Sequence, residues 1–412
     1  MYKCSILFLG LSLLFTCQPA PPPPTEDPSI ALSDSLRSQI QALHDQGWIN
    51  GFGTAIVHKD QVVFQEGFGF ADVEKQTPYT ASTIQNIGSV SKTFIGLALL
   101  KAQELGKLNL DDPINDHLPF EVNHPKHPDA VITIRHLATH TGTILDTDTY
   151  NGKAYILVDD LPDLNADSLQ ISETLNPRES AVSLIDFLEQ LLSEGGDLYN
   201  PAGFSEDLPG AIYEYTNIGA ALAGAVLEQA TGQSFADFTA QHILQPLGMA
   251  SAGFTFDSID RSKHSTLYSN PETAIPFYRL ITYPDGGILT SISDLGIYLN
   301  ELIKGYSGRG TLLANASYAE LFKEQLSALH FPDRDSTDAY DDEFNTGIFM
   351  GFTPAGYVGH TGGDPGIACF LFFDPKTQSG RCMMINTSII NQAGVDQFFS
   401  IWGALGEYER RW

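Results

Sequence analysis

Ser89-Val90-Ser91-Lys92 sets a hydroxyl three residues before an amine, and it is the sole Ser-x-x-Lys in the chain. On a helix, positions i and i+3 share a face, so the Lys92 amine can approach the Ser89 oxygen. A helix N-terminus and burial both disfavour the ammonium form, which makes the amine a usable base. The same terminus favours an oxyanion forming at an acylated serine. The chemistry this predicts is acyl transfer, with Ser89 as nucleophile. A competing structural reading makes Ser89 a plain N-cap and Lys92 a solvated first-turn residue.

Two further patterns occur more than once and must be sorted by context. Tyr-x-Asn appears at Tyr215-Thr216-Asn217, Tyr268-Ser269-Asn270 and Tyr298-Leu299-Asn300. The last falls within a helical pattern, where i and i+2 diverge. The middle one precedes Pro271 in an expected loop. Tyr215 and Asn217 sit where a loop meets a helix, a junction suited to holding polar groups. There Tyr215 can share a proton with Ser89, and Asn217 can donate to a substrate carbonyl. His-Thr-Gly appears at 140–142, closing a short helical stretch, and at His360-Thr361-Gly362, leading into Gly363 and a β run. Glycines beside a strand let a substrate backbone approach a sheet edge, and Gly363 can offer an oxyanion donor.

The elements that must carry these residues follow from periodicity. Residues 32–44 repeat apolar positions at helical spacing, and 53–58 with 61–68 form a hairpin around Lys59-Asp60. Residues 89–105 read as a helix apolar all round, hence central, closed by Gly106. Helical pieces and long loops occupy 107–210. Within them 146–177 is rich in Asp and reads as an insertion or lid, and nothing in the 143–210 stretch fixes a substrate pocket. Helices are expected at 218–231, closed by Gly232, and at 294–303. Strands follow at 357–358, 368–373 and 381–386, then a terminal helix at 395–410. The fold class expected is α+β, one sheet from both chain ends and a mostly helical lobe between them at about 107–280.

Ser89-x-x-Lys92, Tyr215-x-Asn217 and His360-Thr361-Gly362, in that order, resemble the three motifs of the serine β-lactamase and penicillin-binding-protein superfamily. The branch most similar is that of class C β-lactamases, D-alanyl-D-alanine carboxypeptidases and esterases. ITIRHLATHTG (132–142), QPLGM (245–249), PDGGILTSISDL (284–295) and GHTGGDPG (359–366) also look like that branch. The resemblance implies an antiparallel sheet flanked by helices and a Ser89 acyl-enzyme. It implies Lys92 and Tyr215 as coupled base and acid, and Asn217, His360, Thr361, Gly362 and Gly363 around the substrate. The amides of Ser89 and Gly363 would form the oxyanion hole, and no cofactor is implied. Many β-lactamases carry lysine where His360 stands. Histidine is only partly charged near neutral pH, so peptide or ester substrates are expected ahead of β-lactams. The 138–143 loop (ATHTGT) departs from the usual LTHTSG and is given no part in catalysis. A true β-lactamase, or a non-catalytic lipoprotein using the fold as a binding scaffold, stay open as alternatives.

Composition bounds the rest. With 412 residues, 42% hydrophobic and 11% aromatic, the chain can fill an enzyme-sized core. Fifty acidic residues against 22 basic ones give a formal charge of −28, which repels nucleic acid. Lys3, an apolar run at 6–16 and Cys17 read as a lipoprotein signal peptide over 1–17, lipidated at Cys17. Residues 18–31 form a proline-rich tether. The mature body is then a periplasmic or cell-surface hydrolase at 32–412, touching membrane only through its anchor and acting on a small-molecule or peptide substrate. Simple secretion with cleavage near Ala20 is the alternative. Cys369 and Cys382 fall on neighbouring strands where a disulfide is possible. His136 and His140 stand at i, i+4 without the glutamate of a zinc motif, so no metal is expected. Oligomeric state has no signal.

Overall fold

The structure is a computed structural model and describes residues 28–161, 164–332, 334 and 337–412. Cys17, the signal segment and residues 18–27 of the tether lie outside the described residues. The remainder of the tether is not extended. Helix α1 spans Pro28–His44, beginning before the expected 32, because a proline at a helix start has its φ already set.

The main strands, in chain order, are β1 (Gly51–His58), β2 (Gln61–Asp72), β3 (Thr77–Pro78), β4 (Asn345–Thr346), β5 (Gly351–Phe352), β6 (Val358–Asp364), β7 (Ile367–Asp374) and β8 (Ser379–Ile385). They form one sheet in the order β4-β5-β6-β7-β8-β1-β2-β3. The join between the chain ends is β8 against β1, antiparallel from Phe52↔Ile385 to His58↔Ser379. Period-2 alternation divides the residues between two faces. Phe52, Ile56, Phe64, Phe372, Met383 and Ile385 pack under α1 and the terminal helix, through Leu36, Ile40, Phe398 and Trp402. Ala55, Val57, Cys369, Leu371, Cys382 and Met384 face the helical side. Cys382 pairs with Leu371 and Cys369 with Met384, so the two cysteines are offset by two positions; both thiols are buried and free.

Four helices complete the frame: α2 (Lys92–Glu104), α3 (Asn217–Thr231), α4 (Ile292–Tyr306) and α5 (Gln392–Glu409). Nearly every residue of α2 is buried, as its unbroken apolar sequence predicts. Its first turn differs from expectation: Gly88–Ser91 is a 3-10 turn, and the α-helix begins at Lys92. α4 spans the sheet's inner face, and Tyr298 stacks on Phe94 of α2 at 3.8 Å. The segment expected as a lid contains a strand the pattern concealed. Tyr155–Leu157 pairs with Tyr278–Leu280, and Ile156 is fully buried. Tyr268-Ser269-Asn270 likewise lies in a short strand, Leu267–Asn270, and not in an unsupported loop.

Candidate active site

β6 is where sequence and structure differ most usefully. The expected strand stops at residue 358, yet Val358 to Asp364 are all strand. Only Gly359 and Val358 pair outward with β5, so the far half of β6 has an open edge. That edge runs against the Gly88–Ser91 turn. A Cβ on Gly362 would lie 2.1 Å from the Ile87 carbonyl oxygen and 3.1 Å from the Ser89 nitrogen. Gly88, at φ +52°, would put a Cβ 2.8 Å from the Gly363 nitrogen. Glycine at both positions is what allows two backbones this close. The Thr361 N–H points away from β7, to the Asp342 carboxylate at 2.7 Å. Period 2 turns the Gly363 N–H to the same side, next to Ser89.

Behind the turn lies Lys92, fully buried. Its ammonium donates to Ser89 Oγ at 3.0 Å, Asn217 Oδ1 at 2.6 Å and the Asp285 carbonyl at 3.0 Å. Burial lowers the Lys92 pKa, with Asp285, Asp146, Asp364 and Asp342 working against it. Ser91 is structural: its hydroxyl accepts from the Ile288 N–H at 3.2 Å and ties the turn to the segment bearing Asp285. Burial pushes the Asp285 carboxyl up to about 7, against the pull of Lys92.

Tyr215 completes the group. Lys92 Nζ lies 5.0 Å from its ring centre. Burial holds the phenol well above its ordinary pKa, with the neighbouring Ser89 hydroxyl opposing. Asn217 opens α3, but the N-cap is Thr216. Asp146, which carried no sequence signal, organises this helix start. It accepts from Asn217 N–H at 2.9 Å, Ile218 N–H at 2.9 Å, Thr216 Oγ1 at 2.9 Å and Asn217 Nδ2 at 2.8 Å. Asn217 is thereby oriented, its oxygen on Lys92 and one amide hydrogen on Asp146, with one hydrogen left for a substrate.

His360 is buried, and its Nδ1 meets two acceptors: the Thr361 carbonyl at 2.6 Å and Asp342 at 3.1 Å. Nδ1 therefore carries the proton, and Nε2 is an acceptor in the neutral ring. Burial lowers the His360 pKa, Asp342 resisting. Thr361 also gives its hydroxyl to Asp342 at 3.1 Å. The loop set aside in the sequence reading enters here as well. His140 is buried and stacks on Tyr215 with centroids 4.6 Å apart, while His360 approaches the same ring at 6.1 Å. His136 turns back to its own helix, where Nδ1 accepts the Thr133 N–H at 3.2 Å. Among the described residues no group of three or more His, Cys, Asp or Glu is arranged to hold a metal ion.

The sequence matches the family described as Beta-lactamase over residues 36–404. The chain belongs to that family, and its fold is the β-lactamase/transpeptidase-like one. Among solved structures it resembles the octameric penicillin-binding protein homologue from Pyrococcus abyssi, at TM-score 0.65 and 22% identity over 91% of this chain and 76% of that one. It also resembles D-amino acid amidase from Ochrobactrum anthropi, at TM-score 0.62 and 18% identity over 90% and 99%. Curated relatives include Protein flp of Staphylococcus aureus, 28% identical over 64% of this chain and 48% of its own length. Esterase EstB of Burkholderia gladioli is 29% identical over 53% of this chain and 52% of its own. The chain thus matches about half the length of these curated relatives.

Proposed function

We propose that the protein is a hydrolase that works through a Ser89 acyl-enzyme on small esters, amides or D-amino-acid peptides. The observation that carries this reading is the buried Lys92 amine, 3.0 Å from the Ser89 oxygen and 5.0 Å from the Tyr215 ring centre. With the amine neutral, Ser89 gives its proton to Nζ as Oγ attacks the substrate carbonyl. The carbonyl π pair moves onto oxygen, facing the Ser89 and Gly363 amides. Collapse expels the leaving group, which takes a proton from Tyr215, and Lys92 restores that proton. Water then repeats the sequence on the ester and frees the acid. Asn217 and His360 orient the substrate.

A neutral His360 beside Asp342 supplies no fixed positive charge for a substrate carboxylate. This supports ester or amide turnover over β-lactam hydrolysis, and relatives named as an esterase and a D-amino acid amidase fit it. A fluorophosphonate probe should label Ser89, and Ser89→Ala should abolish labelling. No adduct with either that probe or a penicillin, on folded protein, would favour the binding-scaffold alternative. p-Nitrophenyl esters should turn over well above nitrocefin; the reverse ranking sinks the reading of His360. The address proposed for this activity is a lipid-anchored one through Cys17. Mass spectrometry of membrane-extracted protein should find a diacylglyceryl group there, and an unmodified N-terminus near residue 21 would sink it.

A further inference from the structure

His140 holds Tyr215 from three directions. The backbone at His140 is left-handed, φ 53°, just past the short helix Ile134–Ala138. That conformation caps the helix end and turns the residue toward the 213–216 loop. The His140 carbonyl accepts the Glu214 N–H at 2.8 Å, and Nδ1 accepts the Thr216 N–H at 3.3 Å. One residue therefore takes both amides that flank Tyr215. Its ring then stacks on the phenol, 4.6 Å between centroids and 30° between planes. Phe349 braces the imidazole edge-on at 5.3 Å, and the Phe349 N–H is itself bonded to the Ala138 carbonyl at 2.8 Å. Since Nδ1 accepts, the proton sits on Nε2 and the ring is neutral.

From this geometry we infer that His140 is a positioning residue for the Tyr215 phenol, fixing its hydroxyl on Ser89 for proton transfer. The inference rests on the acyl-enzyme reading above. A small misplacement of a proton-transferring group is enough to cost on the order of 100-fold in rate.

The test is a double-mutant cycle on p-nitrophenyl acetate, with Ser89 labelling by a fluorophosphonate as a second readout. His140→Gly satisfies the left-handed backbone while removing both the ring and the Nδ1 acceptor. His140→Asn tolerates the same backbone and keeps an acceptor for Thr216. His140→Gly is expected to lower kcat about 100-fold with KM within about twofold, and His140→Asn to recover about tenfold of that loss. In a Tyr215→Phe background either substitution is expected to cost less than about threefold, since the hydroxyl being positioned is gone. Equal losses in both backgrounds, or a loss confined to KM, would overturn the inference. If His140→Gly does not fold, the His140→Asn cycle decides alone. Absence of Ser89 labelling in the unmutated protein would instead reject the acyl-enzyme reading, so the two failures are distinct.

Discussion

His140-Thr141-Gly142 and His360-Thr361-Gly362 are the same three residues on two backbones. The first leaves a helix in a left-handed turn; the second lies flat in β6. In the first, the imidazole accepts a loop amide and stacks on Tyr215. In the second, the imidazole gives its proton to a carbonyl and a carboxylate and leaves Nε2 as its acceptor. Thr141 bonds locally, to Thr139 at 3.0 Å, whereas Thr361 fastens the strand to Asp342. A Cβ on Gly142 would meet the Leu137 side chain at 3.0 Å and the His136 backbone at an ordinary 3.7 Å; on Gly362 it would collide with the Ile87 carbonyl. A short motif therefore has no fixed meaning. The dihedral angles of its carrier decide which atoms are free to act.

The contrast can be broken most forcefully at the glycines. Gly362→Ala is expected to cost about 3 kcal/mol in urea denaturation, because one backbone must move off another, and to abolish ester turnover. Gly142→Ala is expected to cost less than about 1 kcal/mol. Equal costs would undo the distinction. Next comes His360→Lys, which restores a fixed positive charge. The ratio of nitrocefin to ester kcat/KM is expected to rise about tenfold, the worth of one charge-assisted hydrogen bond, with no such rise for His140→Lys. The threonines differ less. Thr361→Val should lose about 1.5 kcal/mol for its bond to a carboxylate, and Thr141→Val about 0.5 kcal/mol, both read by thermal melts.

A last effect concerns pH, at the end of the second triplet's strand. Asp364 accepts from the Tyr155 hydroxyl at 2.7 Å, and burial pushes its carboxyl up to about 7. Its unfolded value is the ordinary one near ~4. Between those values the folded chain holds the proton longer, so stability falls as pH rises from about 4 to 7 and stays lower above that. Asp364→Asn keeps the acceptor and removes the charge. It should flatten that part of the profile by up to about 4 kcal/mol, the worth of about three pKa units, and a pH 5 to pH 8 difference in melting as large as that of the unmutated protein would reject the assignment.

Periodicity served the long elements well. The uniform apolarity of α2, the hairpin at Lys59-Asp60 and the Gly232 helix stop are each written in consecutive residues. The groups that orient the site are not. Asp146, Asp285 and Asp342 reach it from loops, where tertiary contact alone makes one aspartate differ from the other acids of a chain with 50. His140 was visible as half of a repeated string, but its positive φ has no sequence mark, since histidine rarely adopts it. β6 was read too short, as 357–358, because its glycines carry no strand preference of their own. Here the strand is held by β7 on one side and the Gly88 turn on the other. Tyr155–Leu157 is too short to show a period at all.

The seam between β8 and β1 has a temporal side. Its partners stand more than 300 positions apart, and the Ser35 and Tyr408 hydroxyls meet at 2.6 Å across α1 and α5. Loop closure over such a span is slow, and a growing chain has β2 on one side of β1 but lacks β8 on the other until residue 385 has been made. Ser89 and Lys92 are synthesised early, but β6, whose edge faces them, arrives some 270 residues later. The proposed site is thus incomplete until β6 has been made. Because α1 and α5 pack side by side, joining residue 412 to residue 28 and opening the chain at an exposed loop should give a protein that closes the same ring in a different order.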